Sequence, residues 1–390
     1  MIIPKLAFKN IYGAGLRTWL NVIALSFSYV AIIALQGMYS GMTHQMETST
    51  INAQYGGGQY WQSDYDPYDP LTLDDAHTKI PSDLANLIAD NKAVPILFRQ
   101  GTLYPNGRFQ NVLLKGIEPN QTALSILTSG LAADIAAIPA LIGSRMAKST
   151  GLNIGDYVTV RWRDANNTFD ANEIKIVEIM KTDVPEIDNG QLWIPIEKLY
   201  EMTALPGEAT MVVLEKESQF NKNIAGWQHK DMNFLLKDLH AFINGDNAVA
   251  SIFYIVLLLL AMLSIFDTQI LSIFRRRKEM GTLMALGMTR AKLIQLFTLE
   301  GAFYAVFAAI AAAIYGTPLL AYIASVGMGL PENMDDYGYA ISDTIYPSYP
   351  AVLIIGTILL VCFITTIVSY LPARRIAKLK PTDALRGKLT

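Results

Sequence analysis

The chain has 390 residues, 52 % of them hydrophobic and only 17 % charged, with a formal net charge of −3 and a mean hydropathy of +0.27. That balance points to a membrane protein rather than to two or three soluble domains, and it offers no basic surface for nucleic acid. The single cysteine, Cys362, lies in an apolar run, so no intrachain disulfide is available.

From the start of the chain, Phe8, Ile11, Tyr12, Gly15 and Trp19 recur at helical spacing beside Lys5, Lys9 and Arg17. The pattern predicts a helix lying in the headgroup layer. It leads into a first apolar run, Thr18 to Gly41, long enough for the roughly 20 residues of a membrane crossing. The run is too long for a signal peptide and lacks a small-x-small cleavage site, so it is expected to remain as an anchor. Within it Ala34, Gly37 and Gly41 form a small-residue stripe of the kind that lets two helix backbones approach closely. Segment 1–41 is therefore predicted as an amphipathic helix plus the first span.

Residues 42–247 predict a folded α+β domain large enough to bury its own core. It opens on turn-rich sequence, with three glycines and DYDPYDP between Tyr55 and Pro70. Asp64, Asp66, Asp69, Asp74 and Asp75 lack the Gly and closing Glu of a calcium loop, which leaves a solvated acidic loop and no metal site. Ser82 is placed to cap a short helix to about Asp90. Asn106-Gly107 between Phe98–Leu103 and Phe109–Ile117 predicts a hairpin, and Asp156–Arg163 with Glu173–Ile179 a second strand pair.

Three more apolar runs follow: Ala248 to Ile273, Leu296 to Met328 and Ala351 to Leu371. With the first they predict four transmembrane helices. The domain limits are 248–273 for the second span, 274–295 for a connector, 296–371 for the third and fourth spans with a short outer loop (Gly329 to Tyr349), and 372–390 for a tail. Fifteen of the 31 Lys and Arg fall in the short segments before the first span, between Arg275 and Lys292, and after Pro372. In Met42–Asn247, 26 acidic residues outnumber 16 basic ones. Both termini and the connector are thus expected in the cytoplasm, with the large domain outside. Asp267 and Glu300 stand near inner helix ends, where anchoring is favoured over proton relay.

No GxxxxGK[ST] pattern occurs, so any use of nucleotide requires a partner chain. Four scattered histidines, His44, His77, His229 and His240, provide neither a zinc set nor a Cys/His nucleophile. Ser144 lacks the following glycine of a nucleophile elbow. No catalytic residue is assigned, and the chain is expected not to be an enzyme.

The connector RRRKEMGTLMALGMTR, Arg275 to Arg290, combines basic residues with a small and apolar series. Together with neighbouring segments it resembles the MacB/FtsX-type superfamily of ABC-transporter permeases, in a layout similar to the LolC/LolE lipoprotein-release subunits. The start LAFKNIYGAGLRTWLNVIALSFSYVAIIAL, the stretches LIGSRMAKSTGLNIGDYVTV and IDNGQLWIPIEKLYEMTALPG, and the tail YLPARRIAKLKPTDALR carry the likeness. So does RRRKEMGTLMALGMTRAKLIQLFTLEG, in which Glu279, Gly281, Ala285 and Gly287 match an E-x-G-x-x-x-A-x-G cytoplasmic helix.

The resemblance implies one span, a large extracytoplasmic domain and three further spans in a bacterial inner membrane. It implies a pair of permeases, identical or paralogous, with two separate ATPase subunits that bind the ATP and Mg. Glu279, Gly281, Leu283, Ala285, Leu286 and Gly287 would form the ATPase-coupling helix, with Arg275 to Lys278 near anionic headgroups. The implied function is mechanical transmission of ATPase motion to the outer domain, releasing lipoprotein or another amphiphile. A MacB-like efflux subunit working with a periplasmic adaptor, and an FtsX-like activator of a cell-wall hydrolase, remain alternatives. Membrane lipids are expected contacts.

Overall fold

A computed structural model describes residues 2–12, 15–133, 135–182, 184–216, 218, 220–329 and 344–376. The chain opens with α1 (Ile2–Tyr12) and α2 (Leu16–Thr50), the latter running on into a π-helical turn, Ile51–Tyr55. Then come β1 (Gln59–Gln62), β2 (Thr78–Lys79), α3 (Ser82–Ala89), β3 (Ala93–Leu103), β4 (Gln110–Ile117), β5 (Ile138–Gly143) and α4 (Ser144–Thr150). These are followed by β6 (Tyr157–Arg163), β7 (Phe169–Met180), α5 (Pro185–Asp188), β8 (Gln191–Pro195) and α6 (Ile196–Thr203). Next are β9 (Glu208–Ala209), β10 (Met211–Leu214), β11 (Trp227–Lys230), α7 (Met232–Leu235), α8 (Lys237–Arg275), α9 (Arg277–Ala285), α10 (Arg290–Val326) and α11 (Ala351–Ile376). Two compact units result: a helical one from Met1–Thr43, Ile243–Gly329 and the chain from Thr344 on, and an α+β one centred on His44–Phe242.

In the α+β unit, nine strands among the described residues join in the order β11-β1-β10-β3-β4-β8-β5-β7-β6. β3 also pairs with β6, Gly101 opposite Trp162, so β3-β4-β8-β5-β7-β6 closes into a ring. The long β3 therefore serves two structures: Met211 to Leu214 pair with its first residues, and β4 and β6 with the rest. In β6 alternate residues Val158, Val160 and Trp162 are buried and the others exposed, the period-two pattern of a strand with one covered face. They join Leu97, Leu103, Leu114, Ile142, Ile174 and Leu192 in one apolar core.

The expected hairpin at Asn106-Gly107 is present, β3 and β4 being antiparallel and both turn residues taking positive φ. So is the β6–β7 pair. The parallel pairings β4–β8 and β5–β7 were not read from sequence. At α3 the capping expectation is corrected: Pro81, extended at φ −69° and ψ 156°, is the N-cap without a side-chain bond, and Ser82 is already inside the helix. Asp66 and Asp69 in the acidic loop accept from nearby backbone N–H groups, of Tyr68 and Leu71, as turn residues do.

Two of the segments singled out by resemblance meet at a buried carboxylate. Asp188, 1 % exposed, accepts from Ser144 N at 2.7 Å, Ser144 Oγ at 3.0 Å and Arg145 N at 2.9 Å, and Arg145 Nε lies 3.7 Å away. It thus satisfies the free N–H groups that begin α4. At Gly143 an added Cβ would collide with the Asp188 backbone, so a glycine is needed for the approach.

Among the described residues, three helices are long and apolar enough to cross a membrane: Trp19–Tyr55, Arg290–Val326 and Ala351–Arg374. The expected second span lies in α8, whose described apolar run, Ser251–Leu260, is shorter. The outer loop from 330 to 343 and the tail from 377 on lie outside the described residues.

Val22, Leu25, Tyr29, Val30 and Ile33 of α2 share a core with Ala305, Ala308 and Ala312 of α10 and Val361 of α11. The small-residue packing expected of α2 is thus found on α10, where Gly316, in line with those alanines, lies against Val30. Ala34 packs beside the same core. Gly37 and Gly41, expected to admit a second helix, instead seat the extended chain Tyr346–Tyr349, with Ser348 N donating to Gly37 O at 2.9 Å. A Cβ at Gly41 would strike the Tyr346 carbonyl and Pro347 backbone, whereas one at Gly37 would meet mainly the Tyr349 ring, which can turn aside. Gly41→Ala is therefore expected to cost about 1–3 kcal/mol by overpacking, and Gly37→Ala less. Thermal unfolding of the two variants in detergent gives the order, and equal melting temperatures would contradict the close backbone approach.

Candidate coupling site

Between α8 and α10 the chain makes two sharp turns. Arg276, at φ −94° and ψ 15°, breaks the helical run and sets off α9. At its far end Met288 N donates to Leu283 O and Gly287 N to Met284 O, a Schellman closure in which Gly287 takes φ +93°. Thr289 then caps α10 through its hydroxyl, which accepts from Lys292 N. The sequence GMT after α9 is a helix stop and a helix start in three residues.

The base of α9 is fixed by a buried ion pair. Glu300 in α10, 3 % exposed, accepts from Arg276 Nη1 at 3.0 Å on both carboxylate oxygens and from Asn10 Nδ2 of α1 at 2.8 Å. Arg276 Nε donates to Glu279 at 2.9 Å, and its guanidinium lies 5.4 Å from the Phe297 ring. One arginine thus ties α9 to α10, and one glutamate ties both to α1. A charged group in this apolar setting persists because each partner is hydrogen-bonded. Leu283, Met284 and Met288 close the turn against Leu293, Phe297 and Ala373.

The six residues predicted for coupling separate into two sets. Gly281 is buried, Leu283 is half-buried against the core of Leu293 and Phe297, and Glu279 is exposed but held by Arg276. Ala285, Leu286 and Gly287 are exposed, Leu286 by 80 %. An added Cβ at Gly287 meets nothing, so this glycine is required by its backbone conformation and not by crowding within the chain. Arg276, expected among the headgroup-facing cations, is corrected by its engagement with two carboxylates. Glu300 serves as an anchor, and Asp267 is exposed. Sequence reading missed Asn10, which lies 290 positions from its partner.

The MacB-like periplasmic core domain family matches residues 18–223, more than half of the chain, and the FtsX-like permease C-terminal family matches residues 251–381, which contain the whole turn just described. The chain belongs to the MacB/FtsX-type permease superfamily. It is an ABC-transporter permease subunit, not itself catalytic, with a MacB-like extracytoplasmic domain.

Among relatives of this permease, the lipoprotein-releasing system transmembrane protein LolC of Neisseria meningitidis serogroup B is 21 % identical over 325 residues, 75 % of this chain and 77 % of that one. An ABC transporter permease of Methanocaldococcus jannaschii is 33 % identical over 131 residues, 34 % of this chain and 30 % of its own length. The solved periplasmic region of MacB from Actinobacillus actinomycetemcomitans overlaps 48 % of this chain and 94 % of its own, with a TM-score of 0.33 and 10 % identity. The extracellular domain of the transporter YknZ from Gram-positive bacteria overlaps 42 % and 84 %, with a TM-score of 0.27 and 13 % identity.

Proposed function

We propose that this permease subunit conveys the motion of a separate ABC ATPase across the bacterial inner membrane and uses it to release or export lipoprotein or another amphiphile. The observation that carries the reading is the exposed apolar turn Ala285–Gly287 held on a base fixed by Arg276 and Glu300. A lever must present a surface to its driver and transmit load without bending; the turn supplies the first and the buried ion pair the second. Two ATPase subunits, which would bind ATP and Mg, and a second permease, identical or paralogous, complete the assembly. α8 supplies the fourth span, and the placement of basic residues puts both termini and α9 in the cytoplasm. Support for lipoprotein as cargo comes from the alignment with LolC over three quarters of both chains.

Leu286 is the clean probe, since a substitution at Gly287 also strains its left-handed backbone. Leu286→Asp is expected to leave insertion and melting unchanged, to weaken capture of the ATPase about tenfold, ~1.4 kcal/mol, and to abolish transport-coupled ATP turnover. The wild-type chain, tagged and extracted from its host in mild detergent, should bring down a P-loop ATPase and a lipidated protein identifiable by mass spectrometry. Normal coupled turnover in Leu286→Asp, or absence of any ATPase from the wild-type material, rejects the proposal.

A further inference from the structure

The α+β unit contains a cavity of about 1100 Å³, just above the roughly 300–1,000 Å³ of small-molecule sites. Its floor is the face of the sheet opposite the ring's core. In register across β3, β4 and β8 lie Phe98, Lys115 and Trp193. Lys115 is 6 % exposed, with its Nζ 4.7 Å from the Phe98 ring and 4.8 Å from the Trp193 ring. Among the described residues no carboxylate pairs with it and no hydrogen-bond acceptor reaches it. Two more lining residues contain buried polar atoms without a partner: the Trp193 indole N–H and the Gln191 side-chain oxygen. Two such atoms beside a lysine without a counter-ion is an unusual concentration, since buried polar groups in folded proteins are nearly always paired.

Burial alone lowers the Lys115 ammonium from 10.5 to about 7. The charged groups lining the same cavity, Asp64, Asp66, Asp238 and Lys237, are at its exposed rim, with Lys230 half-buried over Trp61 and Phe234. Asp64 is bonded to Gln62, and Asp238 accepts from the Tyr68 hydroxyl. The tyrosines Tyr55 and Tyr65 also line it, and burial raises Tyr65 further above its ordinary value. Between pH 7 and 10.5 the unfolded chain holds a proton on Lys115 that the folded chain has lost, so this group makes stability rise with pH across that window. Without a counter-ion the lysine is a liability.

We propose that this cavity binds an amphiphile: an acyl chain against the aromatic and aliphatic wall, ending in one anionic group that pairs with the Lys115 ammonium and accepts from the Trp193 indole N–H. Carboxylate and phosphate heads share this chemistry. The site is independent of the cargo proposed above, because its occupancy is measured without any ATPase.

The test uses the full chain in phosphatidylcholine nanodiscs at pH 6.5 and a photoreactive palmitate, with labelled peptides mapped by mass spectrometry. Labelling is expected in β4 and β8, to be displaced by palmitate or by hexadecyl phosphate, whichever head binds better, and not by methyl palmitate. Lys115→Met should reduce labelling at least tenfold while melting at or above the wild-type temperature. Equal competition by methyl palmitate on the unaltered protein, labelling unchanged in Lys115→Met, or no labelling of β4 and β8 overturns the assignment. The ester competition requires no variant, so its outcome does not depend on how Lys115→Met folds.

Discussion

Glu300→Ala is expected to uncouple the permease while leaving it in the membrane. The substitution leaves the Arg276 guanidinium, 25 % exposed, with the Phe297 ring and the solvent-facing Glu279 carboxylate, and it removes the acceptor that holds Asn10 of α1. Breaking one side of a buried ion pair costs about 3–5 kcal/mol, enough to free α9 from α10. Transport-coupled ATP turnover should fall at least tenfold, and melting in detergent should drop with it. Arg276→Met should do the same by leaving Glu300, 4 % exposed at its side chain, with an amide alone. The double variant Arg276→Met/Glu300→Met should regain much of the stability, because two apolar side chains of similar length replace the pair without an orphaned charge. If Glu300→Ala melts within about 0.5 kcal/mol of wild type, the range of inconsequential surface changes, the pair is not an anchor.

In the outer domain the largest loss is expected from Asp188→Ala. It leaves two backbone N–H groups and the Ser144 hydroxyl without their acceptor, which is 1 % exposed, while Ser144 and Arg145 are themselves half-buried. At about 1–3 kcal/mol for each stranded donor, partly recovered by relaxation, the total is about 3–5 kcal/mol. In a unit of this size that lowers Tm by roughly 10 °C. Asp188→Asn keeps one acceptor and presents an NH₂ group to the remaining donors, so it should fall between. A melting curve of Asp188→Ala matching wild type would show that the α4 terminus finds other partners. Coupled ATP turnover is a separate readout here, since Asp188 belongs to the α+β unit and the α9 turn to the helical one.

Sequence reading succeeded where local chemistry decides the structure. Asn106-Gly107 gives a hairpin because both residues accept positive φ, and the basic, glycine-punctuated stretch after α8 gives a short helix between two turns. It failed where the partner is remote. A glycine stripe announces a close approach but not what approaches, and at Gly37 and Gly41 the visitor is extended chain from the other end of the sequence. The β3–β6 pairing that closes the ring carries no local mark, since Gly101 and Trp162 are far apart in the chain. Lys115 was passed over because a lysine in NVLLKGI reads as the solvent-facing member of a strand; only the cover over that face of β4 makes it buried. The anchoring role of Arg276 was hidden among four successive cations, three of which give no hint that one is spoken for.

The double membership of β3 has a mechanical consequence. A single backbone, eleven residues long, is the common beam of the closed ring and the open sheet. Sliding one past the other requires rupture of its ladder on one side, so the ring and the open sheet are expected to shift together and not about a soft joint between them.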